Sequence, residues 1–278
     1  MASLFALYFA SVPLVAGKGD ISRWIVYYGD KLKPEDLSGI DAAFLDPDVI
    51  SVQGWPKGKT RYFGYLSVGE AENFRWYWPM VKGKNYLVEK NPIWKESTLV
   101  DIRSEEWQQL LLDKVIPRIL AKGYSGLILD TVDTAVYLED TQAEKYAGSK
   151  RALVSFVKKI RKKFPGILIV PNNGLEMLNG MEGDVYGVMV EDLYTNYDFG
   201  EKVSRRTPEN LMLAKEERLD EFRARTGKPV FNVLYETSNK SELARYAIER
   251  SEEKGYDWYL TKVDLMSLGM TPGSVNEQ

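Results

Sequence analysis

The sequence predicts an α/β fold of the (β/α)8 TIM-barrel type. Eight short runs rich in β-branched, aromatic and aliphatic residues recur along the chain. They are apolar throughout and not alternating, as strands covered on both faces must be. Helical or loop segments separate most of them, which is the rhythm of a barrel wound from βα units. A doubly wound open sheet is the competing arrangement, but no GxGxxG follows the first run and no P-loop pattern occurs. The chain has 278 residues, enough for one large domain, so residues 18–278 are expected to form a single barrel with 1–17 set apart.

In chain order, "LFALYFASVPLV" (Leu4–Val15) is apolar and uncharged. It is shorter than the ~20 residues of a membrane span, so no stable membrane insertion is expected. It fits the apolar core of a secretory signal cleaved near "VAG", or a buried N-terminal strand. No Lys or Arg precedes it. The signal reading places the protein outside the cell or at its surface. The strands are expected at "WIVYY" (Trp24–Tyr28), "AAFLD" (Ala42–Asp46), "YFGYLSV" (Tyr62–Val68) and "GLILD" (Gly126–Asp130). "ILIVP" (Ile167–Pro171), "YGVMV" (Tyr186–Val190), "VFNVL" (Val230–Leu234) and "WYLTK" (Trp258–Lys262) complete them. The stretch from Gly69 to Ile102 is loop-rich and aromatic and reads as an insertion after strand three, over one end of the barrel.

Four helices stand out. The first opens with Ser104 as N-cap, places Trp107, Leu110, Leu111, Val115 and Ile119 on one face, and should kink at Pro117. The second puts Leu153, Phe156, Val157, Ile160 and Phe164 on one face, its basic residues forming a solvated outer face. The third takes Thr207 as N-cap and Pro208 as first helical residue and closes at Gly227. The fourth ends at Gly255.

Composition narrows the chemistry. There is no cysteine and no histidine. Disulfides, zinc ribbons, thiol nucleophiles and Ser-His-Asp triads are therefore excluded, and protons must move through Asp, Glu, Tyr or Lys. The net charge of −3 lacks the excess of positive charge that a nucleic-acid binder uses, so no nucleic-acid partner is expected.

In a barrel of this type the chemistry sits at the carboxyl ends of the strands. The ends deliver Tyr28 and Asp30, Asp46 and Asp48, Glu70 and Glu72, Asp130 and Asp133, Asn172 and Asn173, Glu191 and Asp192, then Tyr235 and Glu236. A lone acid at a strand end is more often a helix cap or an ion-pair partner. Concentration on one mouth is the stronger signal. Crowded carboxylates raise one another's pKa, so one stays protonated beside an ionised one, as glycosidic cleavage requires. A Mg²⁺ or Ca²⁺ site is the competing chemistry, although the spacing fits no EF-hand.

The stretches "YLSVGEAENFRWYW", "LVDIRSEEWQQLLLDKVIPRILAKGYSGLILDTVD", "PNNG" and "VMVEDLY" resemble glycoside hydrolase family 114, from about Trp24 to about Lys262. Members are endo-α-1,4-polygalactosaminidases and related TIM-barrel proteins, and "SVGEAE" looks like the bacterial and archaeal branch. The resemblance implies a glycoside hydrolase with Asp130 and Glu191 as the catalytic pair and Asp133 lining the sugar site. Tyr28, Asp46, Glu70, Asn172, Asn173, Tyr194 and Glu236 are the further substrate-binding candidates. By the same resemblance, and by analogy with other α-glycosidase barrels, the mechanism is retaining, with Asp130 as nucleophile and Glu191 as acid/base. No cofactor or metal is expected. The partner is a polysaccharide or oligosaccharide. A cationic galactosamine polymer would suit an acidic cleft. The alternative is a carbohydrate-binding barrel without turnover, which would use Trp76, Trp78 and Tyr194.

Overall fold

The computed structural model describes residues 21–56 and 58–274. The apolar segment Leu4–Val15 lies outside the described residues.

The strands are β1 (Trp24–Tyr27), β2 (Ala42–Leu45), β3 (Arg61–Ser67), β4 (Glu70–Glu72), β5 (Leu87–Lys90), β6 (Ser97–Val100), β7 (Gly126–Asp130), β8 (Leu168–Pro171), β9 (Val188–Val190), β10 (Thr195–Asp198), β11 (Val203–Arg206), β12 (Val230–Tyr235) and β13 (Asp257–Thr261). Eight of them build a (β/α)8 barrel and fall within two residues of the expected positions: β1, β2, β3, β7, β8, β9, β12 and β13. The first five of these pair in parallel as one run, and β9, β12 and β13 as another. A parallel bridge between Asn172 and Met189 joins the two runs. At the other seam the chain after β13 folds back between the last strand and the first. Trp24 donates its N–H to Thr271 Oγ1 at 3.1 Å, and Tyr28 its N–H to the Leu265 carbonyl at 2.9 Å.

Aromatic rings fill the lower barrel. Trp24, Phe44, Phe63, Phe231 and Tyr259 come from five different strands and are at most 5% exposed. Phe44 stacks on Phe63 at 4.5 Å, and Trp24 packs against Phe231 at 5.3 Å and Tyr259 at 5.4 Å. Burying rings this large is among the strongest stabilising contributions a core can contain. The plug also sets the parity of the strands. Because side chains alternate along a strand, the inward face defined by Phe63 continues to Tyr65, that of Phe44 to Asp46, and that of Phe231 to Tyr235.

Four features depart from the sequence expectation. The insertion is not loop-rich: β4, β6 and β5 form a three-stranded antiparallel sheet. Strands of three or four residues, one pair with a register shift between Leu87 and Lys90, are too short to show a period of two. A second antiparallel pair, β10 with β11, rises after β9. The crossover after β1 contains only the 3-10 turn Pro34–Leu37, and among the described residues no helix lies between β2 and β3. The helix closing at Gly227 begins at Glu209, because Thr207 donates its hydroxyl to the Asp192 carbonyl and Pro208 takes the cap position.

The other helix signals are realised. Ser104 and Ser241 cap their helices by accepting from Trp107 N and Ala244 N, and Gly227 and Gly255 end theirs in the left-handed region, at φ 66° and 65°. Pro117 acts one turn earlier than a simple kink. It has no N–H to donate backwards, and the preceding turn Leu111–Val115 widens to a π-helix before Ile116–Ala121 resumes α geometry.

Candidate active site

Three strand ends converge on one amide. Asn172, at the end of β8, is 5% exposed. Its Nδ2 donates to Asp130 Oδ1 at 2.9 Å and to Glu191 Oε1 at 3.0 Å. Its Oδ1 is buried without a hydrogen-bond partner among the described residues. The orientation follows from the network: with the amide reversed, its oxygen would face two carboxyl groups. Because one nitrogen holds both, those two oxygens are no more than about 6 Å apart. Tyr65 donates its hydroxyl to Asp130 Oδ2 at 2.8 Å, so both oxygens of Asp130 accept. Tyr235 hydrogen-bonds Glu191 from β12, and Asn173 Oδ1 accepts the Glu191 N–H at 3.2 Å.

The backbone beneath these residues is unusual. Asp130, Asn172 and Glu191 are each followed by a non-glycine residue in the left-handed region: Thr131 at φ 58°, Asn173 at 60° and Asp192 at 55°. Asn and Asp tolerate this conformation; a β-branched Thr does so only under constraint. The constraint on Thr131 is visible. Its hydroxyl accepts the Gly69 N–H at 2.9 Å and meets Ser67 Oγ at 2.9 Å. The Asp192 turn is held by Lys215, which donates to the carbonyls of Glu191 at 2.9 Å and Asp192 at 3.1 Å. Strain of this kind collects where surrounding structure fixes functional groups.

Gly69 explains the glycine of "SVGEAE". A Cβ there would lie 2.1 Å from the Thr131 carbonyl oxygen and 2.7 Å from Thr134 Cβ. Gly69→Ala must therefore push β3 away from the turn that aims Asp130. Thermal unfolding is expected to show a loss of about 2–3 kcal/mol, with lower activity at temperatures where the variant is still folded. Wild-type stability would show that the two backbones separate freely.

The electrostatics divide the acids. Burial, and then the neighbouring charges of Asp130 and Asp192, push Glu191 up to about 8, against the opposing hydrogen bonds of Asn172 and Tyr235. Asp133 is exposed to solvent yet crowded by protein around its carboxyl group. That crowding, and then the Asp130 charge, raise it to about 6. Burial raises the Tyr28 hydroxyl well above its usual range, helped by Asp130, Glu191, Asp46 and Glu72. Tyr28 therefore lies among the acids, its ring edge-to-face with Tyr65 at 5.2 Å. Among the described residues no group of three or more acids is arranged to hold a metal ion.

Several expected sugar ligands are occupied elsewhere. Tyr194 is fully buried and donates to Glu216 Oε1 at 2.9 Å, because the left-handed Asp192 breaks the alternation and turns the next residues into the core. Asp46 accepts Arg75 Nη1 at both oxygens, at 2.7 and 2.8 Å. Glu70, the first residue of the insertion strand β4, is buried and accepts from Asn91 at 3.0 Å, Ser97 at 2.5 Å and Thr134 at 3.3 Å. All three are held by protein partners. Glu236, half-buried at the end of β12, accepts the Thr237 N–H at 2.6 Å. Trp76 packs under Arg118 at 4.8 Å and Trp78 under Lys90 at 5.5 Å.

Sequence reasoning passed over Tyr65, Arg75 and Lys215. Tyr65 had a usable signal, since it sits two residues after Phe63 on the same strand. Lys215 had none, because the carbonyl it holds lies 24 residues away; Arg75 pairs with Glu72 three residues before it, but nothing local announces its bond to Asp46, 29 residues away. Two exposed rings also went unnoticed: Trp94 of the insertion meets Phe199, between β10 and β11, edge-to-face at 5.4 Å.

The profile of glycoside-hydrolase family GH114 matches residues 16–277 of this chain. Among solved structures, the glycoside hydrolase domain of PelA from Pseudomonas aeruginosa is 25% identical, with a TM-score of 0.80, covering 90% of this chain and 98% of that one. Ega3 of Aspergillus fumigatus, solved as a complex with galactosamine, is alike in fold. It has a TM-score of 0.72 and 15% identity, covering 95% of this chain and 98% of that one. Among curated proteins, the uncharacterized protein MJ1477 of Methanocaldococcus jannaschii is 29% identical over 219 residues, 72% of this chain and 60% of that protein. The chain thus spans less than two thirds of that relative's length.

Proposed function

Because the chain belongs to glycoside-hydrolase family GH114, we propose that this glycoside hydrolase cleaves an α-linked, galactosamine-containing or related polysaccharide with retention of configuration. Asp130 is the nucleophile and Glu191 the acid/base. The observation that carries this reading is the Asn172 amide nitrogen, which donates to both carboxyl groups at 2.9 and 3.0 Å. Such a pair matches the ~5–5.5 Å of a retaining enzyme better than the ~6.5–9.5 Å that admits a water between the groups.

The roles follow from the surroundings. Asp130 accepts at both oxygens, the bonding of a carboxylate, and a rigid strand aims it at the anomeric carbon. Glu191, raised to about 8, holds its proton at neutral pH and can give it to the leaving oxygen. Once that proton is gone, the same carboxylate draws a proton from the incoming water. Asp133 and Tyr28 face the space beside the pair and contact the sugar. An exposed carboxylate such as Asp133 suits a cationic amino sugar. A polymeric substrate also fits a site of action outside the cell, with residues 1–17 as a leader and 18–278 as the barrel.

The test is incubation with de-N-acetylated α-1,4-galactosamine oligomers and their N-acetylated counterparts, followed by mass spectrometry. Shorter de-N-acetylated oligomers are the expected product, and NMR should find them first as the α-anomer. Binding without cleavage would favour a carbohydrate-binding barrel without turnover. First-formed β-anomer would identify an inverting pair.

The raised Glu191 also sets a pH limit. The step needs the protonated acid, so kcat/KM should fall as pH rises through about 8. The sign is the same for stability. The folded protein holds this proton more tightly than the unfolded chain, so the associated stability is full below about pH 4.5 and is lost as pH rises through 8. A flat activity profile from pH 6 to 10 would remove Glu191 from the role of acid.

A further inference from the structure

The hydroxyl that holds Asp130 has a second carboxylate within reach. Tyr65 Oη lies 2.8 Å from Asp130 Oδ2 and 3.5 Å from Glu72 Oε1. It has one proton and can donate fully to only one of them. Glu72 is itself fixed: its Oε2 accepts Arg75 Nε at 2.6 Å, and the same guanidinium grips Asp46 at 2.7 Å. Arg75 also lies 5.0 Å from the centre of the Tyr65 ring. The insertion thus brings a charged clamp against β3, and the ring and both acceptors are held while the O–H remains able to rotate. Burial, and then the charges of Asp130 and Glu72, raise the phenol well above its usual range, so the proton stays on the oxygen.

We propose that Tyr65 and Glu72 are positioning residues that exchange one hydrogen bond during turnover: Tyr65 donates to Asp130 while Asp130 is a carboxylate, and to Glu72 while Asp130 is esterified. This rests on Asp130 being the nucleophile. The cause is acceptor strength, since a hydrogen bond to an ionised oxygen is roughly twice as strong as one to a neutral oxygen. In the resting enzyme Asp130 is the nearer acceptor and Arg75 satisfies Glu72. In the first half-reaction an Asp130 oxygen bonds to the anomeric carbon. The glycosidic C–O bond breaks, its electron pair goes to the leaving oxygen, and that oxygen takes the proton of Glu191. Asp130 is then neutral, Glu72 keeps its charge, and the O–H turns. In the second half Glu191 takes a proton from water and the water oxygen bonds to the anomeric carbon. The ester C–O bond breaks with its pair returning to Asp130, and the O–H turns back. Tyr65 transfers no proton at any stage.

The test uses an α-1,4-linked galactosamine trimer bearing 2,4-dinitrophenyl at its reducing end, with dinitrophenolate release followed before the steady state. In Tyr65→Phe the re-forming Asp130 carboxylate lacks a donor, so breakdown of the glycosyl-enzyme should slow about 10–100-fold. A burst appears, and KM falls together with kcat. In Glu72→Gln the donor has no charged alternative, so formation of the intermediate should slow about tenfold, with no burst and no fall in KM. The double variant should match Tyr65→Phe alone, because Glu72 acts through Tyr65. Additive losses, or a Tyr65→Phe without a burst, overturn the exchange even when intact mass shows sugar attached to Asp130. If Glu72→Gln does not fold, Tyr65→Phe decides by itself. Absence of sugar on Asp130 in every variant overturns the nucleophile assignment and the exchange with it.

Discussion

Asp130→Asn should fold normally and lose turnover by about 10⁴-fold or more, because the amide keeps the shape of the side chain and removes the attacking electron pair. The new side chain must also place an NH2 against Tyr65 Oη or Asn172 Nδ2, both of which now donate to Asp130. That mismatch is local and leaves the aromatic plug below untouched. The variant carries a second readout that a damaged fold would not produce. The Asp130 charge is, after burial, the larger of the two carboxylate charges holding Glu191 at about 8. Removing it must lower the Glu191 pKa, since a like charge no longer opposes ionisation. Carbon-13 NMR of labelled glutamate should find Glu191 titrating below its wild-type position. Near-wild-type turnover of the dinitrophenyl trimer would end the nucleophile assignment.

Glu191→Gln should show a loss that depends on the leaving group. On the oligosaccharide the leaving oxygen needs a proton, and turnover should drop about 10²–10⁴-fold. With dinitrophenolate as leaving group no proton is needed. Formation of the glycosyl-enzyme should then change little, and the missing base should stall its hydrolysis. Added azide attacks without a base, so it should restore turnover and yield an α-glycosyl azide. The fall in kcat/KM near pH 8 should vanish in the same variant, because its source is gone. Equal losses on both substrates, with no rescue by azide, would assign Glu191 a role other than acid/base.

The barrel was legible because its signals are local. A strand buried on both faces must be apolar at every position, and Gly126–Asp130 was placed to the residue. Caps such as Ser241 and Gly255 act within a few residues of their helix and were readable for the same reason. The antiparallel sheet β4-β6-β5 was not, because its strands are shorter than the pattern that would reveal them.

For the site, the sequence determined that Asp130, Asn172 and Glu191 stand at strand ends of one mouth, since chain direction fixes which end of every parallel strand faces the same way. It also determined that any proton chemistry uses carboxyl, phenol or amine groups, since histidine and cysteine are absent. What each end residue touches was decided by the tertiary structure alone. Asp46 and Glu70 look like free acids in the sequence, yet Arg75 and the Asn91–Ser97–Thr134 set consume them. Tyr194 follows Glu191 by three residues, yet a single left-handed turn at Asp192 sends it into the core. Tyr65 reads as strand interior, yet it holds the candidate nucleophile. Alternation and capping are short-range properties of the backbone and can be read residue by residue. A hydrogen bond between groups 19 to 65 residues apart, such as those of Asn172 and Tyr65, depends on where several strands come to rest together, and that position is set by the packing of the whole barrel.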